Sequence, residues 1–230
     1  KKYNFLGSAE PSCCFQSIVH FLKMATDQAT KNCITLKGSA QIVVEYLKYG
    51  VNSILFQRGI YPPETFENTQ QYGLTILMSK DKKIEEFLAN VLRQTEEWLA
   101  KNMINKISMV ISNARTKEVL ECWDFKLQAE LGSGDTTDMS KLTSNKELSR
   151  IQNEIRDVMR QISATVSYLP LLDCICTFDV MIHTLQNCDV PESWDETCAV
   201  FIPNAQAVQL RSFSTGLHKV DTVVNYKMSI

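Results

Sequence analysis

Eight cysteines and three histidines hold most of the reactive side chains in this 230-residue sequence. Cys13, Cys14, Cys33, Cys122, Cys174, Cys176, Cys188 and Cys198 follow no regular framework spacing. A chain this long can bury a core without cross-links, so the pattern predicts reduced thiols in the cytosol or nucleus. Cys174 and Cys176 stand two apart in a strand-like run, which projects both to one face about 6–7 Å apart. A zinc knuckle uses Cys-x2-Cys in a turn with a matching second pair, and Cys188 and Cys198 do not supply it. Both cysteines read as small buried hydrophobes. A thiol nucleophile needs a neighbouring base. His20 falls in an atypical leader, His183 and His218 end or interrupt strands, and no Cys–His pairing is marked. A cysteine hydrolase would require Cys174 or Cys176 exposed beside His183.

No Gly-rich phosphate loop, His-Glu-x-x-His helix or Gly-x-Ser-x-Gly elbow occurs in the sequence. Glu85-Glu86 and Glu96-Glu97 sit on polar helix faces, where charge is solvated. The residues therefore predict no enzyme, no metal and no cofactor. Composition agrees: 44% hydrophobic and 22% charged residues describe a soluble globular chain. A net charge of −2 and a pI near 6.0 give no pull toward nucleic acid or anionic lipid. No apolar run reaches the roughly 18–20 residues of a membrane span.

The elements follow from periodicity. Residues 1–23 show neither helical nor strand spacing, and Met24-Ala25-Thr26-Asp27 reads as a translation start. This segment is expected to be a flexible leader or a non-native extension, with one domain over 24–230. Ser39 is the expected N-cap of a first helix carrying Ile42, Val43, Tyr46, Leu47, Ile54 and Leu55, ended by Gly59 and Pro62-Pro63. A second helix starts near Asp81 and places Ile84, Phe87, Leu88, Val91, Leu92, Trp98 and Leu99 on one face. Runs 105–112 and 118–127 predict a hairpin, with Val119, Trp123, Phe125 and Leu127 on one side. Residues 129–147 read as a loop. A third helix, from Leu148 through Ile151, Ile155, Val158, Met159 and Ile162, is expected to cross the middle of the domain.

Cys174, Cys176, Phe178, Val180 and Ile182 alternate as a strand, and two further strand signals follow, Val208 to Thr215 and Val220 to Met228. An irregular stretch with Pro191 and Pro203 separates them. The mixture predicts an α+β fold, helices packed on one face of a sheet. A sheet edge must be paired, covered or charged. A segment that covers an edge in one state and frees it in another would open a site for an added peptide strand.

Long ordered stretches carry a resemblance. They include Ile34-Thr35-Leu36-Lys37-Gly38-Ser39-Ala40, Asn52-Ser53-Ile54-Leu55-Phe56-Gln57-Arg58-Gly59-Ile60-Tyr61-Pro62 and Gln71-Tyr72-Gly73-Leu74-Thr75. Lys117 to Glu121, Gln152 to Ile162, Tyr168 to Leu172, Leu210 to Thr215 and His218 to Val220 complete them. Over Ala29 to Lys227 the chain resembles the spindle-assembly-checkpoint branch of the HORMA-domain family. The resemblance implies a HORMA fold, three helices on a mainly antiparallel sheet with a mobile C-terminal safety belt over about 185–230.

In the open state that the resemblance implies, the C-terminal hairpin lies on the edge of strand 173–183. In the closed state it moves to the opposite edge, and the freed edge accepts a ligand strand beneath the belt. The implied ligand edge is Cys174, Ile175, Cys176, Thr177, Phe178, Asp179 and Val180, and the implied belt residues are Trp194, His218, Val220, Val224 and Tyr226. Leu36 is the implied open-state latch. Arg160, Gln161, Tyr168 and Arg211 are the implied surface for an open–closed self-dimer.

The implied role is delay of anaphase until kinetochores attach, at kinetochores and in the nucleus and cytoplasm. Implied partners are the coiled-coil kinetochore scaffold of the mitotic arrest deficient pathway and the cell-division-cycle co-activator of the anaphase-promoting complex. A checkpoint pseudokinase complex and a comet-type HORMA adaptor with its AAA+ ATPase are implied as well. The alternative is another HORMA branch, a translesion polymerase accessory subunit or a meiotic axis protein. Tyr168, where the family usually has Phe, and Cys122, where Arg is common, depart from the family pattern.

Overall fold

The computed structural model describes residues 2–5, 33–130, 142–185, 190–198 and 200–228. In chain order they form β1 (Lys2–Phe5), β2 (Ile34–Thr35), α1 (Leu36–Gln57), β3 (Phe66–Gln71), β4 (Leu74–Ser79), α2 (Lys82–Ala100), β5 (Ile104–Asn113), β6 (Val119–Ala129), β7 (Thr143–Ser144), α3 (Leu148–Ala164), β8 (Cys176–Thr184), β9 (Trp194–Glu196), β10 (Ala205–Ser214) and β11 (His218–Lys227). The main sheet runs β10-β11-β6-β5-β8-β1-β9, and every neighbouring pair in it is antiparallel. Two-stranded ribbons β2/β7 and β3/β4 complete the described strands. The α+β class expected from the pattern is the one observed.

Thr35, not Ser39, caps α1, accepting from the Gly38 amide at 3.1 Å. Ser39 is fully buried within the first turn. Asp81 caps α2 as its position predicts, accepting from Lys83 N at 2.8 Å. The middle of the domain belongs to α1 rather than α3. Gly50 to Leu55 of α1 are buried in an unbroken run, while α3 buries only the stripe Ile151, Ile155, Val158, Met159 and Ile162. A helix apolar all round belongs inside; one with a single stripe lies on the surface.

The sheet's inner face carries Ile107, Met109, Ile111, Trp123, Phe125, Leu127, Val180, Ile182, Val220 and Val224 against the helices. A bulge between Ile111 and Ser112 sends Val119 to the outer face, where it packs with Val110, Cys122, Met181 and Ile202. This corrects its expected place beside Trp123, because one extra residue in a ladder inverts facing beyond it. The β3/β4 ribbon carries little apolar alternation, and its turn at Tyr72-Gly73 takes left-handed φ values of 53° and 69°. Within the expected 129–147 loop, Thr143–Ser144 pair with Ile34–Thr35, and residues 131–141 lie outside the described residues.

Candidate functional site

The β10/β11 hairpin pairs with β6, at the end of the sheet opposite β8. Its docking is built from polar ties as well as apolar packing. His218 Nδ1 and Thr215 Oγ1 each lie 2.6 Å from Ser39 Oγ, and the Tyr46 and Thr222 hydroxyls meet at 2.8 Å. Tyr46 also stands edge-on to Phe125 and Phe213, with centroids 6.0 and 4.8 Å apart. From the helix side, Glu154 accepts from Ser214 N and pairs with Lys146 at 2.7 Å, while Asp157 pairs with Arg211 at 2.7 Å. Gln161 accepts from the Arg211 amide. These bonds hold the hairpin on the far edge.

One side of β8 is bonded to β5 from Cys176 to Thr184. The other side receives β1, with Lys2 opposite His183, Tyr3 opposite Ile182 and Asn4 opposite Met181. The belt strand β9 then pairs with the outer side of β1, Tyr3 with Glu196, Asn4 with Asp195 and Phe5 with Trp194. The Thr197 amide donates to Lys2 O at 3.0 Å. A short extended segment is thus held on both flanks, by the edge strand and by the belt.

From β9 the chain must return to β10, six inter-strand steps away in the sheet order. Lys2 and Ala205 line one cavity on the outer face, and the link from Glu196 to Ala205 passes along it. Val200 and Ile202 press the link onto Val110, Cys122 and Met181 on the outer face of the sheet.

Inward, Tyr3 is 7% exposed, with its ring 6.3 Å from Trp98, and Trp98 lies 5.5 Å from Trp194. Outward, a cavity of about 280 Å³ is lined by Lys2, Lys106, Ser108, Asp124 and His183 and roofed by Phe201 and Ile202. Ser108 Oγ is 2.5 Å from Asp124 Oδ1 and 2.9 Å from His183 Nε2. With the hydroxyl hydrogen given to the carboxylate, the serine oxygen accepts from the ring. That proton order is the reverse of what an activated nucleophile needs. Burial, then the positive charges of Lys106 and Lys2, bring His183 down to about 4.

The candidate residues separate into groups. Cys174 and Ile175 lie just before β8; Cys176, Thr177, Phe178, Asp179 and Val180 are on it, and β1 pairs just beyond them, at 181–183. The Cys174 and Cys176 sulfurs are 3.7 Å apart, closer than the strand spacing predicts, and both are half-buried rather than buried. Burial raises the Cys176 thiol, as it pushes Cys122 up to about 12, so neither is a ready thiolate. Among the described residues no three His, Cys, Asp or Glu are arranged to hold a metal ion. No described helix is long and apolar enough to cross a membrane. Trp194 is buried over β1, whereas His218, Val220 and Val224 are buried and Tyr226 half-buried on the hairpin. Leu36, 8% exposed, opens α1. Arg160 and Tyr168 are exposed, while Gln161 and Arg211 are engaged with each other.

Two structural features had little signal in the sequence. Arg58 and Glu121 form a buried ion pair at 2.6 Å, completed by Pro170 O and the Trp123 indole. The other is Lys2–Phe5, four residues lying in a segment expected to be a flexible leader; residues 6–23 of that leader are outside the described residues.

The geometry has counterparts among known proteins. The HORMA domain model matches residues 39–218. The chain is 46% identical over 207 residues to mitotic spindle assembly checkpoint protein MAD2A of Mus musculus, covering 90% of this chain and 99% of that protein. Against MAD2A of Homo sapiens the identity is 45% with the same coverage. A chain in a crystal structure of the mitotic checkpoint complex superposes with a TM-score of 0.74 at 37% identity, covering 83% of this chain and 99% of that one. Matching sequence over nearly the full length of these relatives and the same arrangement of helices and sheet lead to one assignment: this chain belongs to the HORMA domain family, on the branch of the mitotic spindle assembly checkpoint proteins.

Proposed function

We propose that the chain is a spindle-checkpoint adaptor that captures a partner's extended peptide on the β8 edge and locks it under its C-terminal belt. One observation carries this reading: the hairpin sits on β6, and a strand added to β8 is covered by β9 of the belt. Strand addition supplies main-chain bonds, and inward pockets select alternate side chains. Release then requires the belt's own pairing to open, which slows dissociation. The work is binding and conformational exchange between two packings of one chain, without catalysis.

The ligands are peptides of the kinetochore coiled-coil scaffold and of the anaphase-promoting-complex co-activator. Capture of the co-activator delays anaphase, at kinetochores, in the nucleus and in the cytoplasm. Arg160 and Tyr168, exposed on and just after α3, form with Gln161 and Arg211 the surface for open–closed self-association. A checkpoint pseudokinase complex joins the assembly, and a comet-type adaptor with an AAA+ ATPase reopens it. The translesion-polymerase and meiotic-axis branches are not favoured, given near-complete matches to checkpoint relatives at 45–46% identity.

The test is capture of labelled scaffold and co-activator peptides by the full chain and by Trp194→Ala. The full chain should retain both peptides through dilution, and the variant should release them at least tenfold faster. Failure of both peptides to bind, with β1 displaced as described next, overturns the reading.

A further inference from the structure

We propose that Lys2–Phe5 is an internal ligand: the chain fills its own peptide site with its own β1 strand, so a partner must displace it. This rests on the peptide-capture reading above and goes beyond it by naming an occupant and a form of control. β1 has the attributes of a captured peptide. It is extended, pairs antiparallel with β8 at Met181, Ile182 and His183, and lies beneath β9. Its one inward side chain with described packing, Tyr3, completes an aromatic row with Trp98 and Trp194. Its outward Lys2 lines the polar cavity beside Ser108, Asp124 and His183.

Because β1 is covalently part of the chain, its concentration at the groove is set by the connection and not by the solution, of millimolar order for short tethers. A free peptide meets only the fraction of molecules whose groove is vacant, and its apparent affinity falls by that fraction. The occupant also defines the competitor. It is an extended segment with one large apolar or aromatic side chain pointing inward, and polar or basic residues on either side of it.

The experiment uses the full chain, Tyr3→Asp and Tyr3→Phe, each checked for wild-type circular dichroism. The probe is a fluorescein-labelled peptide of residues 1–10, followed by anisotropy after a day's equilibration. Tyr3→Asp should bind the probe at least tenfold more tightly than wild type, and Tyr3→Phe should behave as wild type. Hydrogen exchange at those amides of 181–183 that face β1 should be slow in wild type, fast in Tyr3→Asp and slow again once the probe is added. Equal affinity for the three proteins overturns the proposal. So does a wild-type dimer in light scattering that Tyr3→Asp makes monomeric, since the strand would then come from a second copy. If the residue 1–10 probe binds Tyr3→Asp but scaffold and co-activator peptides do not, the internal ligand stands and the checkpoint reading fails. If those peptides bind wild type and Tyr3→Asp equally, the internal ligand fails and the checkpoint reading stands.

Discussion

Ser39 Oγ and His218 Nδ1 lie 2.6 Å apart across 179 residues of sequence, joining the first turn of α1 to the first residue of the terminal strand. His218 is 1% exposed, and burial brings it down to about 4, opposed by the nearby Leu99 backbone and by Glu130. A histidine whose folded value is depressed stabilises the fold above its unfolded value of about 6.5, and that stability is lost as the pH falls toward 4. His183, also lowered to about 4, adds a slope of the same sign. Chemical denaturation from pH 7.5 to 4.5 should show a stability loss on the order of 3 kcal/mol at most from His218, and a smaller one from His183, which solvent partly screens. His218→Gln should remove its share of the slope, and Ser39→Ala should lower stability at pH 7.5 by about 1 kcal/mol.

The Arg58–Glu121 pair joins the end of α1 to the inner face of β6, with both side chains almost fully buried. Arg58→Ala leaves Glu121 charged and desolvated and should cost about 3–5 kcal/mol in denaturant titration. Arg58→Met with Glu121→Leu should recover part of the loss, because an apolar pair carries no desolvation penalty but leaves the Trp123 indole N–H and Pro170 O without these partners.

Gly216 turns the hairpin at φ +85°, and a Cβ there would come 2.1 Å from Ser144 Oγ. Gly216→Ala should therefore lower stability by about 2 kcal/mol or more through backbone strain and the clash together. Adding Ser144→Gly should return only the clash component, measurable as a partial recovery of Tm.

The link between β9 and β10, packed on the outer face through Val200 and Ile202, predicts a kinetic effect. Inserting four Gly/Ser residues between Pro203 and Asn204 should leave the melting temperature within about 2 °C, as surface loops tolerate added length. It should speed release of captured peptide several-fold, because a longer link loosens the packing that holds β9 beside the ligand strand. Dissociation of labelled peptide under excess competitor measures it; unchanged release would mean the link does not help to hold β9 in place.

Arg160 is exposed on α3 near Gln161 and its bonded partner Arg211. Arg160→Glu should abolish self-association in light scattering while preserving peptide capture. Loss of both would mean that the face supports the hairpin instead of a second copy.

Much of the fold is legible in the residues. The spacing of Ile84, Leu88, Val91 and Trp98 marks α2, and Asp81 caps it where the pattern predicts. The alternation of Trp123, Phe125 and Leu127 gives their common face, and the chain-long resemblance supplies the family. The alternation also points Val119 to that face, but a bulge is a property of the paired ladder and leaves no mark in one strand alone. The Ser39 hydroxyl suits a cap, yet its buried position turns it toward Thr215 and His218.

The helices, the apolar faces and the strand potential of the last third of the chain are written in side chains a few residues apart. Which edge of the sheet takes the hairpin, and which strand pairs with β8 at the other end, is set by tertiary contacts. Those choices depend on partners far away in the chain: Ser39 for His218, Ile182 and Trp98 for Tyr3. A four-residue strand such as Lys2–Phe5 is too short to carry a period of its own. Its conformation exists because β8 and β9 supply the hydrogen bonds on either side, and an isolated segment contains neither.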